Sequence, residues 1–162
     1  MNEGQALRDH LVYLLEGGGA HRDLEQVFRA LPLGIRGSRP DGLPHSPWEL
    51  LEHLRISQWD ILEFSRSSHH ESPNWPTGYW PEDPAPASEA YWQRSLETLF
   101  SELAEMVDLV RDPDNDLFTP FPWGDGQTLL REALLVADHN AYHLGQVVVV
   151  RRLLGAWPPA DE

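Results

Sequence analysis

The chain contains no cysteine and no lysine among its 162 residues. Without thiols it can form no disulfide, offer no thiolate to a metal ion and use no cysteine nucleophile. Without lysine it can form no Schiff base with a carbonyl substrate. Any thiol chemistry at this protein therefore requires a small molecule that brings the sulfur.

Basic residues are few, and every one of them is an arginine. The 12 arginines stand against 26 acidic residues, which gives a formal net charge of -14 at pH 7. A surface of this sign repels the phosphates of nucleic acids and of anionic lipids. We therefore expect no nucleic-acid partner.

Long apolar runs are also missing. A membrane-spanning helix needs roughly 20 apolar residues, whereas the run Val147 to Val150 has only four. The N-terminal residues Met1 to Gly4 carry neither the basic nor the apolar region of a secretory signal. These features predict a cytoplasmic protein without a membrane partner, and the length suits a single domain over residues 1–162.

Apolar residues at helical spacing predict an all-α protein, because strand signals are almost absent. The clearest boundary is Ser46-Pro47-Trp48-Glu49, which places a capping hydroxyl, a proline and a reciprocal glutamate in the order that starts a helix. Gly155 and the segment Trp157-Pro158-Pro159 end the last helix. The predicted helices are about 5–16, 20–31, 47–65, 88–110 and 128–154.

The last four of these helices are the main ones, and they predict a four-helix bundle. The connection 66–87 is long for antiparallel neighbours, and a crossover along the bundle explains it, since a helix of 20 residues spans about 30 Å. This favours up-down-down-up topology. The aromatic and proline residues between Ser72 and Pro81 indicate either a stiff loop packed on the bundle or a lid over a substrate site.

Two histidines four residues apart, His139 and His143, are expected on one buried face of the last helix. Two imidazoles at this spacing can bind one metal ion when a third ligand faces them, and His53 is the candidate for that ligand. The alternative is a set of neutral core histidines satisfied by hydrogen bonds. Glu49 and Gln146, each one helical turn from a histidine, either orient the ligands or make ordinary polar contacts.

Three neutral imidazoles would leave part of the coordination sphere of a metal ion open. Structural zinc sites are normally closed by four protein ligands, so an open site indicates catalysis or binding of an outside ligand. Asn140 follows His139 where zinc peptidases carry a glutamate base, which disfavours peptidase chemistry. Solvated surface positions are expected for the other histidines, His10, His21, His45, His69 and His70.

The segments Trp48 to Leu54 and Asp138 to Gln146, which contain these three histidines, resemble the DinB/YfiT-like superfamily. The resemblance covers about residues 20–154. It implies an up-down-down-up bundle, often dimeric, with a divalent ion such as zinc or nickel held by His53, His139 and His143. Segment 5–16 is then an extra N-terminal helix that covers the bundle or serves a homodimer contact.

Relatives in this superfamily include thiol-dependent S-transferases and isomerases that use bacillithiol, mycothiol or glutathione. The first functional hypothesis is therefore a metal-dependent S-transferase or hydrolase acting on a small molecule, with a low-molecular-weight thiol as cosubstrate in the former case. Arg55 or Arg131 is the candidate contact for an anionic thiol. The alternatives are a non-catalytic metal- or ligand-binding stress-response module and a structural bundle without metal.

Overall fold

The computed structural model of this protein describes residues 3–158. Met1, Asn2 and Pro159, which entered the predictions above, lie outside the described residues. No strand occurs in the described part, so the all-α prediction is confirmed, and none of its helices has the length and apolar character that crossing a membrane requires. The helices are α1 (Glu3–Glu16), α2 (Leu24–Phe28), α3 (Pro47–Arg66), α4 (Glu89–Arg111) and α5 (Leu129–Leu153), with 3-10 helices at Leu33–Ile35 and Thr77–Tyr79.

The capping residues decide where the helices begin. The Ser46 hydroxyl accepts a hydrogen bond from the Glu49 amide at 3.1 Å, and the Glu49 carboxylate accepts one from the Ser46 amide at 2.8 Å, so α3 starts with the predicted capping box. Helix α2 is much shorter than predicted, because Asp23 forms its own capping box with Gln26. The chain then leaves the helix before Pro32, which disfavours helical backbone in the preceding residue.

The four long helices pack in pairs, with α3 against α4 and α5, and α1 against the same two helices. Helix α1 buries Leu11, Val12 and Leu15 in a cluster with Met106 and Val136. The N-terminal segment is therefore part of the core of the bundle. A second cluster contains the following buried side chains of α2, α3, α4 and α5: Val27, Phe28, Leu50, Leu54, Trp92, Leu99, Leu144 and Val147.

Contacts between α3 and α4 show that these two helices run in the same direction. Trp48 near the start of α3 lies 6.3 Å from Trp92 near the start of α4, measured between ring centroids. At the other ends of these helices, Arg66 forms an ion pair with Glu105. The connection between the helices therefore crosses the length of the bundle, as its length predicts. The complete up-down-down-up order stays a prediction.

This connection is fastened to the middle of α3 through Asp60. The Tyr79 hydroxyl donates to one carboxylate oxygen of Asp60 at 2.6 Å, and the other oxygen lies 2.7 Å from Nε2 of His70. The His70 side chain is only 7% exposed. The prediction that His70 is a solvated surface residue is wrong, because this carboxylate draws its ring against α3.

Candidate metal centre

Three imidazole rings converge between α3 and α5. Nε2 of His53 lies 3.1 Å from Nε2 of His143 and 3.1 Å from Nε2 of His139. Ring centroids of the three histidines are 4.5 to 4.9 Å apart. His53 and His143 are buried, and His139 is half-buried.

Hydrogen bonds at the far nitrogens orient two of the rings. Nδ1 of His53 donates to the carbonyl oxygen of Tyr79 at 2.9 Å, and Nδ1 of His143 donates to Oε1 of Gln146 at 2.8 Å. A neutral imidazole with its hydrogen on Nδ1 has a bare Nε2. The Nε2 lone pairs of His53 and His143 therefore face each other across 3.1 Å.

The surroundings keep these rings neutral. Burial, reinforced by the neighbouring imidazoles, lowers the pKa of His139 to about 3 and that of His143 to about 4. Burial also lowers the pKa of His53, against the effect of the Tyr79 carbonyl. Protons therefore do not bridge the nitrogens at neutral pH. Without a metal ion, Nε2 of His139 can donate a hydrogen bond to Nε2 of His53. The contact between Nε2 of His53 and Nε2 of His143 then has no hydrogen between the two nitrogens.

The donor set fits a divalent metal ion. Histidine nitrogens bind zinc at about 2.0–2.1 Å, which puts two nitrogens about 3.3 Å apart on a tetrahedral ion and about 2.9 Å apart in neighbouring positions of an octahedral one. The observed 3.1 Å lies between these values. Among residues 3–158, no carboxylate joins the three histidines as a further ligand.

An aromatic wall closes one side of the cluster. The Trp80 indole stacks on His53 with a centroid distance of 4.0 Å and an angle of 1° between the planes. His45 also stacks on the Trp80 indole, with a centroid distance of 3.9 Å. His45 is half-buried, so its prediction as a solvated surface residue is wrong. The Trp80 stack places the aromatic connection against the histidine cluster.

The two residues expected to support the ligands have different positions. Gln146 lies where it was predicted, as the acceptor for His143. Glu49 does not contact His53, because both its carboxylate oxygens bind the Arg39 guanidinium, at 2.8 and 2.5 Å. Arg39 and the capping hydrogen bonds hold the Glu49 side chain at the start of α3. Burial raises the pKa of Glu49, but the contacts with Arg39 and Ser46 outweigh it, so this pKa lies below its ordinary value. Of the two alternatives for Glu49, the structure therefore shows the ordinary polar contact rather than support of His53.

The sequence did not predict two of the groups that support His53. The acceptor at its Nδ1 is the backbone carbonyl of Tyr79, and a backbone carbonyl has no signature in a sequence. The stacking residue Trp80 had one signal, the concentration of aromatic residues in the connection. That signal indicated contact with the bundle but not which side chain the indole covers.

Both arginines considered for an anionic thiol are already paired. Arg55 binds the Glu52 carboxylate through two nitrogens, each at 2.8 Å. Arg131 forms an ion pair with the buried Glu132. Asn140, which follows His139, donates to the amide oxygen of Gln58 at 3.1 Å. None of these three side chains joins the histidine cluster.

Comparison with known proteins gives one result for this chain. A family model described as the DinB superfamily matches residues 19–147, which is most of the chain and includes all three histidines. No curated protein and no solved structure matches the chain. The matched range begins after α1, although α1 contributes to the core.

Proposed function

The chain belongs to the DinB superfamily, and on that basis we propose that it is a metal-dependent enzyme acting on a small molecule. His53, His139 and His143 would hold a divalent ion, with zinc or nickel as the expected metals. The observation that carries the proposal is the pair of bare Nε2 atoms of His53 and His143 at 3.1 Å. Such an arrangement is stabilised when a cation lies between the lone pairs.

The protein side chains would supply orientation and shielding. Tyr79 and Gln146 hold two rings with their bare nitrogens inward, and such supporting contacts typically change metal affinity by 10- to 100-fold. Trp80 excludes water from one face of His53. When bound, a metal ion with three protein ligands lowers the pKa of a coordinating water or thiol.

The nucleophile would be water or a thiol, which corresponds to a hydrolase or to an S-transferase. The chain has no cysteine, so a thiol would come from a low-molecular-weight cosubstrate. Arg55 and Arg131 are engaged with Glu52 and Glu132, and they are poor candidates for recognising an anionic thiol. The two versions differ in whether turnover requires added thiol.

A second candidate function is a non-catalytic module that binds a metal or a ligand. It is favoured by the absence, within residues 3–158, of a carboxylate in the histidine cluster that would serve as a general base. Asn140 occupies the position after His139, and its amide is directed to Gln58. Such a module would be stabilised by metal without turning over a substrate.

The test combines metal analysis with activity. We expect protein purified without an affinity tag and loaded with zinc or nickel to bind one equivalent, and His143→Ala to weaken binding by at least about 100-fold, since it removes a ligand rather than a supporting group. His10→Ala, which changes an exposed histidine of α1, is the matched control. Wild-type binding by His143→Ala would refute the metal site.

The activity arm uses a generic electrophile with and without each low-molecular-weight thiol. Turnover that disappears on chelation, and that is absent in His143→Ala, supports an enzyme. Metal binding without turnover above the protein-free rate supports the binding module instead.

A further inference from the structure

A cavity of about 280 Å³ lies beside the candidate metal centre, between α5 and the segment that leads into α3. Most of its wall is apolar and comes from both sides of the cleft. The apolar lining residues are Leu43, Pro44, Leu50, Gly145, Val149 and Val150.

The cavity shares its polar residues with the surroundings of the metal centre. Gln146 lines the cavity and accepts the hydrogen bond from His143. Tyr142 also lines it, with its ring centroid 4.9 Å from that of His143. His45 lines the opposite side and stacks on Trp80. A molecule in the cavity would therefore lie against groups that contact His143 or the Trp80 ring that covers His53.

Among residues 3–158, the side chains that line the cavity include no arginine and no carboxylate. A carboxylate or phosphate group in this cavity would lose its hydration without gaining an opposite charge, which disfavours its binding. The cavity is open to solvent on one side, so its volume describes only the part of a ligand that it encloses, and an enclosed dry cavity of about 150 Å³ already accommodates benzene. A volume of about 280 Å³ suits one ring with a short substituent.

We propose that this cavity binds the apolar part of the substrate, and that this part is a compact uncharged group of about one ring. Its polar end would point toward Gln146 and the histidine cluster. This inference rests on the proposed function in one respect, since it takes the bound molecule to be a substrate of the metal centre. It narrows the part of the substrate held in the cavity to uncharged groups, and an acidic group of the same molecule would have to lie at the metal ion instead.

The experiment measures binding rather than turnover. The full chain, treated with chelator so that a carboxylate has no metal ion to bind, is titrated with benzyl alcohol and with benzoate while its amide NMR signals are recorded. We expect benzyl alcohol to bind at least about tenfold more tightly than benzoate. The shifted signals should include Gly145 and Gln146.

Variants of one lining residue test the location. Val149 is 48% exposed at the edge of the cavity, so Val149→Phe fills space without disturbing the core. We expect it to weaken benzyl alcohol binding at least fivefold and to leave metal stoichiometry unchanged. Val149→Arg should bring the two affinities closer, because it adds a cation to the lining. Leu153, exposed on the same helix and outside the cavity, provides the controls Leu153→Phe and Leu153→Arg.

Three results would overturn the inference: equal or tighter binding of benzoate to wild type, benzyl alcohol affinity unchanged in Val149→Phe, or equal weakening by Leu153→Phe. Metal binding and turnover, measured separately, test the proposed function. A wild-type protein that prefers benzyl alcohol but binds no metal would retain the neutral pocket and refute the metal-dependent enzyme.

Discussion

The His53 imidazole is restrained on three sides. Its Nδ1 donates to the Tyr79 carbonyl, its face lies on Trp80, and its Nε2 points at His139 and His143. A ring held in one tautomer and one orientation loses little conformational freedom when it binds a ligand. The restraint at this single residue would prepare the nitrogen to coordinate a metal ion.

At the same scale, we expect the metal-free protein to lose stability in acid. Burial lowers the pKa of His139 to about 3 and that of His143 to about 4, whereas both rings titrate near 6.5 in an unfolded chain. The unfolded state then binds more protons between about pH 4 and 6.5, so the free energy of unfolding decreases as the pH falls through this window. The contribution is fully present above pH 6.5.

Melting temperatures measured in chelator at pH 7, 6 and 5 check this expectation. Carboxylates also titrate toward the acid end, so the informative comparison is with the double variant His139→Gln/His143→Gln. Its melting temperature should decrease less steeply between pH 7 and 5. Parallel curves for the two proteins would show that these imidazoles do not carry the pH dependence.

At the scale of elements, the connection between α3 and α4 positions the histidine cluster from outside the two helices that bear the three imidazoles. Its 3-10 helix, Thr77–Tyr79, rests on α3 and brings both the Tyr79 carbonyl and Trp80 to His53. Asp60 anchors this segment by accepting from the Tyr79 hydroxyl. Burial and the Asp60 charge raise the pKa of that hydroxyl to about 12, so it stays a donor at physiological pH.

Removing this anchor should weaken metal binding without removing a ligand. We expect Tyr79→Phe to lower metal affinity by about 10-fold, the lower end of the range for groups that support ligands. Tyr91→Phe, which deletes a hydroxyl from a residue 52% exposed on α4, is the matched control. Competition with a chromophoric chelator gives both affinities. An unchanged metal affinity in Tyr79→Phe would mean that the connection keeps its position without the hydrogen bond between Tyr79 and Asp60.

For the whole molecule, the bundle contains two apolar clusters with different neighbours. The one that includes Leu50, Leu54 and Leu144 flanks His53 and His143 along α3 and α5, whereas Val136, one turn before His139, belongs to the other. The other contains Leu11 of α1 together with Met106 and the opposite portions of the long helices. We therefore expect a truncation in α1, which bears none of the three histidines, to lower stability with little effect on metal binding.

Truncating Leu11 tests this separation. Leu11 is 2% exposed, and Leu11→Ala should lower the free energy of unfolding by about 2–5 kcal/mol, as large-to-small changes in cores do. Leu14→Ala, on the same helix at 50% exposure, should change it by less than about 0.5 kcal/mol. Denaturant unfolding measures both, and metal affinity should stay at the wild-type value. A parallel loss of metal affinity in Leu11→Ala would show that the clusters act as one unit.

The sequence by itself determined the features that depend on neighbours a few residues away. The start of α3 follows from Ser46, Pro47 and Glu49, because a capping box is a local set of hydrogen bonds. The shared direction of His139 and His143 follows from the helical repeat. The short extent of α2 was missed although its cap at Asp23 is also local, because the apolar stripe over 20–31 outweighed it.

Only the tertiary structure decided which groups support the ligands. Glu49 is one turn from His53 and yet binds Arg39, because the segment before α3 brings a guanidinium to it. The carbonyl that holds His53 comes from Tyr79, 26 residues further along the chain. Such partners depend on how the connection packs across the bundle. Side-chain spacing within one helix is a local property, whereas contacts between distant segments are set by the packing of the whole core.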